Sequence, residues 1–259
     1  MILLVLGSGT LCPRIQRSSA SYLLRVGQET ILVDCGSGTV RRLLELGEDY
    51  TAIDRICFTH LHADHTADLP ALLFAYRWDT RGPRRRALKL QGGPGFREFV
   101  QSLDRLYEGS LLKVEYQIDL KPYGERPTPG RGFVLRTSPV DHAPHSRALR
   151  FEEESGAVAV FSGDTGPCSE LEELARGADL LVAECSFPDD HPPVPGHLTP
   201  STVAALAARA KPRRLLLTHL YPEVDTPDLA DRVREKFGGD VGVAQDRMLI
   251  RIVRRTNTA

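Results

Sequence analysis

Four side chains able to bind a metal ion fall within six positions, His60-Leu61-His62-Ala63-Asp64-His65, and no ordinary core accepts such a group. Each buried imidazole or carboxylate would need its own polar partner. The run follows a strand-like stretch, Arg55–Thr59, and precedes a helix-like one. In extended backbone, residues two apart point the same way, so His60 and His62 can face one ion. Asp64 and His65 follow where the chain turns into a helix, within reach of a second ion. The run therefore demands a strand, a tight turn and a helix in that order.

The rest of the chain repeats that alternation. Strands are expected at Ile2–Leu6, Tyr22–Val26, Thr30–Asp34, Arg55–Thr59, Val114–Ile118, Phe133–Thr137, Ala148–Glu152, Val158–Phe161, Leu180–Ala183, Leu215–Thr218 and Met248–Val253. Helices are expected at Thr39–Leu46, Ala67–Arg77, Gly95–Tyr107, Ser169–Ala175, Pro200–Ala210 and Asp228–Phe237. Thr199-Pro200 and Thr226-Pro227 each place a capping residue before a proline at a helix start. The sum is an α/β architecture with helices covering mixed sheets. Pro122–Gly132 reads as a surface loop and Arg81–Arg86 as a basic one. No linker divides the chain, so residues 1–259 are expected to form a single domain.

Further ligand-type residues stand at expected strand ends, where α/β folds gather functional groups. His142 lies beyond Phe133–Thr137, Asp164 follows Val158–Phe161 in Ser162-Gly163-Asp164-Thr165, and His219 closes Leu215–Thr218. Each alone would pass for a turn or cap residue, but beside the first run they complete a metal-binding set. Of the other histidines, His145 either lines the site or is exposed, and His191 is expected to be exposed in a polar loop. Ser8 and Thr10 suit a simple turn, with substrate contacts as the alternative.

The order HxHxDH, strand-end His, SGDT, strand-end TH resembles the metallo-β-lactamase-fold hydrolases, most closely their ribonuclease Z-like branch. Leu6–Thr10, Asp34–Thr39, Ala183-Glu184-Cys185-Ser186-Phe187 and Gly196-His197-Leu198-Thr199 extend the likeness over nearly the whole chain. The resemblance implies an αβ/βα four-layer sandwich of two mixed sheets flanked by helices. It implies that His60, His62 and His142 bind one ion, that Asp64, His65 and His219 bind a second, and that Asp164 bridges both. The branch implies two Zn²⁺, and imidazole and carboxylate ligands also tolerate Mn²⁺ or Fe. Such a pair lowers the pKa of a shared water and stabilises the charge that grows on a phosphodiester. The implied function is a dinuclear zinc phosphodiesterase using a metal-bridging hydroxide. His197 is the expected proton donor and Glu184 its orienting carboxylate, with Asp64 counted among the catalytic residues as well as the ligands. Two alternatives are an acyl (lactone or thioester) hydrolase and a non-catalytic accessory or nucleic-acid-binding module.

Composition narrows partners and location. Thirty-three basic and 34 acidic side chains give a net charge of −1, a poor match for wrapping long nucleic acid. Asp164 follows His142 by 22 positions (164 − 142), which leaves no room for the protruding tRNA-gripping arm of the branch. A small or cyclic phosphodiester is therefore favoured over RNA. The N-terminus lacks a signal peptide's basic region, no window approaches the roughly 20 apolar residues of a membrane span, and the five cysteines form no CxxC pair. A cytoplasmic chain with reduced cysteines and no membrane partner is expected, and the resemblance adds a homodimer.

Overall fold

The computed structural model describes residues 1–254 apart from Arg81 and Pro83. Within them, one seven-stranded sheet comprises β1 (Ile2–Gly7), β2 (Ser21–Val26), β3 (Glu29–Val33), β4 (Arg55–Cys57), β5 (Leu88–Gly92), β6 (Ile118–Pro122) and β14 (Leu249–Arg251), in the order β14-β1-β2-β3-β4-β5-β6. A second contains β7 (Thr128–Gly130), β8 (Phe133–Pro139), β9 (Arg147–Glu153), β10 (Val158–Phe161), β11 (Leu180–Glu184), β12 (Arg214–Thr218) and β13 (Asp240–Val243), in the order β13-β12-β11-β10-β9-β8-β7. Each sheet is antiparallel at one side and parallel at the other, with the change at β3 and at β10.

The inner strands are apolar on both faces because both faces are covered. Leu3, Val5, Leu24, Ile31 and Val33 meet Phe133, Phe151, Phe161 and Val182 between the sheets. On the opposite face of the same first-sheet strands, Leu4, Leu6, Leu23 and Leu32 pack with α1 (Thr39–Glu45), α3 (Leu69–Trp78) and α4 (Phe96–Leu106). Leu181, Ala183, Leu215 and Leu217 pack likewise with α5 (Ser169–Ala175), α6 (Pro200–Ala210) and α7 (Leu229–Phe237). The result is the expected αβ/βα four-layer sandwich.

Several local expectations are corrected. The strand expected at Val114–Ile118 begins at Ile118, on the half-exposed edge of the first sheet. Thr128–Gly130 pairs with β8 inside the expected surface loop. The helix expected at Ala67–Arg77 runs from Leu69 to Trp78 as α3, with Pro70 in its first turn, and a separate short helix, α2 (Ala63–Thr66), precedes it and holds Asp64 and His65. Thr199 caps α6 through a reciprocal capping box with Thr202, whereas α7 starts after Asp228, beyond Thr226-Pro227. Among the described residues, no helix is long and apolar enough to cross a membrane.

Candidate metal centre

The expected ligands converge from separate elements at one end of the sandwich. His60 follows β4, His142 follows β8, Asp164 follows β10 and His219 follows β12, all at carboxyl ends, while Asp64 and His65 come from α2. Ligand atoms of His60, His62 and His142 lie within 4.8 Å of one another, and so do those of Asp64, His65, Asp164 and His219. Asp164 touches both groups: its carboxylate is 3.7 Å from His60 Nε2 and 3.3 Å from each of His65 Nε2 and His219 Nε2.

Hydrogen bonds hold most of these rings by one nitrogen and turn the other inward. His65 Nδ1 lies 2.8 Å from Asp34 Oδ2, His219 Nδ1 3.0 Å from Ser186 Oγ, and His142 Nδ1 donates to the Gly196 carbonyl at 3.0 Å. His60 Nδ1 is 3.1 Å from Thr59 Oγ1. The inward atoms His60 Nε2, His65 Nε2 and Asp164 Oδ1 are buried and have no hydrogen-bond partner. Buried polar atoms are rarely left so, and imidazole with carboxylate is a donor set that divalent zinc accepts. The residues present therefore fit the ions expected of them.

The backbone is bent to serve this arrangement. Asp34 and His219 adopt left-handed conformations with φ of 57° and 55°, which cost a non-glycine residue about 1–3 kcal/mol. Gly196 has φ of 79°, and a Cβ there would stand 2.8 Å from His142 Nδ1, so no larger residue leaves that ring its carbonyl partner. Asp34 is the main support. Its carboxylate accepts from the Thr59 amide (2.7 Å) and hydroxyl (2.8 Å) as well as contacting His65. Such supporting partners typically change metal affinity 10–100-fold. Asp34→Asn is expected to weaken zinc binding by roughly that factor in a chelator competition titration; unchanged affinity would remove the supporting role.

The charges divide sharply. Burial, reinforced by the neighbouring His65 charge, pushes His60 well below the usual imidazole range, which keeps it neutral as a ligand must be. Burial opposes ionisation of Asp164, yet His219, His65 and His60 hold its carboxyl well below the usual range. His65 is raised well above its usual value because Asp164 and Asp34 outweigh its burial.

A His–carboxylate pair stands beside the ligands. Buried Glu184, ending β11, accepts four hydrogen bonds. The Thr165 amide (2.7 Å) and His197 Nδ1 (3.0 Å) reach Oε1, and the Ser186 hydroxyl (2.5 Å) and Leu198 amide (3.1 Å) reach Oε2. With Nδ1 committed, His197 has Nε2 free for chemistry. One His197 nitrogen lies within 4.8 Å of ligand atoms of His142 and Asp164. Burial lowers the His197 imidazole, but the Glu184 bond and charge raise it overall above its ordinary value.

Other expectations meet mixed outcomes. His145 lines the site, its ring parallel to that of His60 at 6.3 Å. His191 is not free in solvent but half-buried and stacked on Phe187 at 4.7 Å. Ser8 is buried and bonded to Asp246 and Arg17, a structural role. In the basic loop, Arg81 lies outside the described residues. Arg84 bonds the Thr51 carbonyl and Arg86 pairs with Asp54 at 2.5 Å, both ahead of β4 and so at the end remote from His60. Arg84 and Arg86 do not rim the metal ligands. Asp34, Thr59 and Ser186 went unassigned because they act through hydrogen bonds to ligand rings and carboxylates, and the contacts of Asp34 with Thr59 and His65 and of Ser186 with His219 exist only in the folded chain.

A family model described as "Beta-lactamase superfamily domain" matches residues 29–220. The chain belongs to the β-lactamase superfamily. Within that superfamily it is 31% identical over 267 residues to the ribonuclease Z of Mycobacterium bovis (strain BCG / Pasteur 1173P2), covering 93% of this chain and 95% of the relative. The human tRNase Z, short form, superposes with a TM-score of 0.75 at 25% identity, covering 97% of this chain and 99% of that one. The metallo-β-lactamase fold protein YhfI from Bacillus subtilis superposes with a TM-score of 0.83 at 24% identity, covering 96% and 98%, and shows the same fold. Membership of the superfamily's ribonuclease Z-like branch, with the His/Asp cluster, makes the chain a metal-dependent phosphodiesterase of this fold. The preference for a small diester over RNA is not borne out. A relative named ribonuclease Z is matched over 95% of its own length.

Proposed function

We propose that the chain is a dinuclear zinc phosphodiesterase that cleaves RNA. The observation that carries this reading is the set of buried, inward-turned ring nitrogens of His60 and His65, which converge on the Asp164 carboxylate beside the His197–Glu184 pair. His60, His62 and His142 would hold the first ion, and Asp64, His65 and His219 the second, with Asp164 shared. When bound, the ions supply the Lewis acidity that makes water nucleophilic near neutral pH and offsets charge gathering on the phosphate.

The side chains do the remaining work. His197 gives a proton from Nε2 to the departing alkoxide, and Glu184, accepting from Nδ1, fixes the tautomer and favours the protonated ring. Asp64 serves as a ligand and orients the attacking water. A proton donor matters for an alkoxide and much less for a stabilised phenolate, which favours a ribose leaving group.

The relatives named ribonuclease Z and tRNase Z support RNA as the substrate class. A precursor tRNA with a 3′ extension, incubated with the zinc-loaded chain, is expected to be cut at one bond. Hydrolysis of a simple diester alongside an intact precursor would limit the proposal to small substrates. A cytoplasmic homodimer completes the reading, and light scattering at twice the 28.6 kDa chain mass is the expected result for the dimer.

A further inference from the structure

Three rings form a continuous stack beside the proton donor. Phe187 lies between Tyr221, at 4.7 Å between centroids and 19° between planes, and His191, at 4.7 Å and 30°. The stack is tied to the centre at two points. Phe187, three residues past Glu184, stands edge-on to His197 at 5.5 Å. Tyr221, two residues past His219, stands edge-on to that ring at 6.3 Å.

We propose that Tyr221, backed by Phe187 and His191, is a stacking subsite for the base of the nucleoside that departs on cleavage. The location follows from the chemistry. The proton donor must face the leaving oxygen, so the departing nucleoside lies on the His197 side, and these rings border that side. Phe187 has a ring on each face and cannot receive a base. Tyr221 and His191 are the end plates, each stacked on one face only among the described residues and each half-exposed.

The Tyr221 plate is backed on its inner face by the Phe187 ring at 4.7 Å. Every nucleobase has a π face, so stacking recognises a base without selecting which one. The subsite thus explains how a chain of net charge −1 could favour a nucleic acid over other diesters.

This inference rests on the phosphodiesterase reading, and the test separates the two. Two short RNAs are compared on the zinc-loaded enzyme, identical except that the departing residue of one is abasic. Both cleavage and binding, the latter by fluorescence anisotropy, are measured. The wild type is expected to favour the base-bearing RNA by roughly 5- to 150-fold. Tyr221→Ala is expected to bring that ratio close to one, mainly through KM, and Tyr221→Phe to preserve it. A wild-type ratio of one, or a wild-type ratio retained in Tyr221→Ala, would overturn the subsite while leaving the hydrolytic reading intact. Preferential binding of the base-bearing RNA with neither RNA cut would uphold the subsite and overturn the hydrolytic reading.

Discussion

Asp164→Ala is expected to abolish turnover and lower the metal content of the chain together. The Asp164 carboxylate is within 3.7 Å of ring nitrogens from both ligand groups, so its loss removes a ligand from both proposed ions. It also removes the carboxylate that His65 Nε2 and His219 Nε2 each face at 3.3 Å. An ion pair provides several kcal/mol of transition-state stabilisation, and each 1.4 kcal/mol is about tenfold in rate. A loss of at least roughly 10³-fold follows. Metal analysis after dialysis should find fewer than two ions per chain. Two retained ions would contradict the bridging role.

His197→Ala is expected to do something different. Its ring contributes a proton and is not among the proposed ligands, so both ions should remain bound. General acid catalysis is worth roughly 10²–10⁴-fold, and the loss should approach that range for a ribose leaving group. With p-nitrophenolate, which departs without a proton, the loss should shrink to a small factor. A series of diesters graded by leaving-group pKa measures this directly. An equal loss across the series, or release of an ion, would remove His197 from the donor role.

How much of this was legible beforehand depended on whether a residue's partners were local. His60, His62, Asp64 and His65 are neighbours in sequence, and their pattern carries its own geometry. His142, Asp164 and His219 were readable as strand-end residues because β10 and β12 are apolar runs and β8 opens with one, Phe133-Val134-Leu135. Asp34 was not assigned its role, because its partners Thr59 and His65 lie 25 and 31 positions away. They meet it only when β3 and β4 pair in parallel. Leu88–Gly92 was missed because Lys89 and Gln91 break its apolar run, yet the folded chain buries it beside β4. In the basic loop a run of arginines announces charge, while Asp54 and the Thr51 carbonyl decide where the charges of Arg86 and Arg84 are spent. His191 was misread because a polar, proline-rich loop gives no sign of the ring it stacks upon.

The substrate was the least legible feature. Net charge and a missing arm both bear on how RNA would be held, and neither bears on whether the phosphodiester bond can be cut. The proposed ligands and the His197–Glu184 pair bear on the cutting, and the fold brings all of them together.

The central claim is that two ions held by these seven residues hydrolyse a phosphodiester. Its most direct test is titration of the metal-free chain with Zn²⁺ while hydrolysis of bis(p-nitrophenyl) phosphate is followed. Activity should rise from baseline and saturate at two ions per chain. No hydrolysis at any ratio of Zn²⁺ or Mn²⁺, with turnover of a lactone or thioester instead, would contradict it.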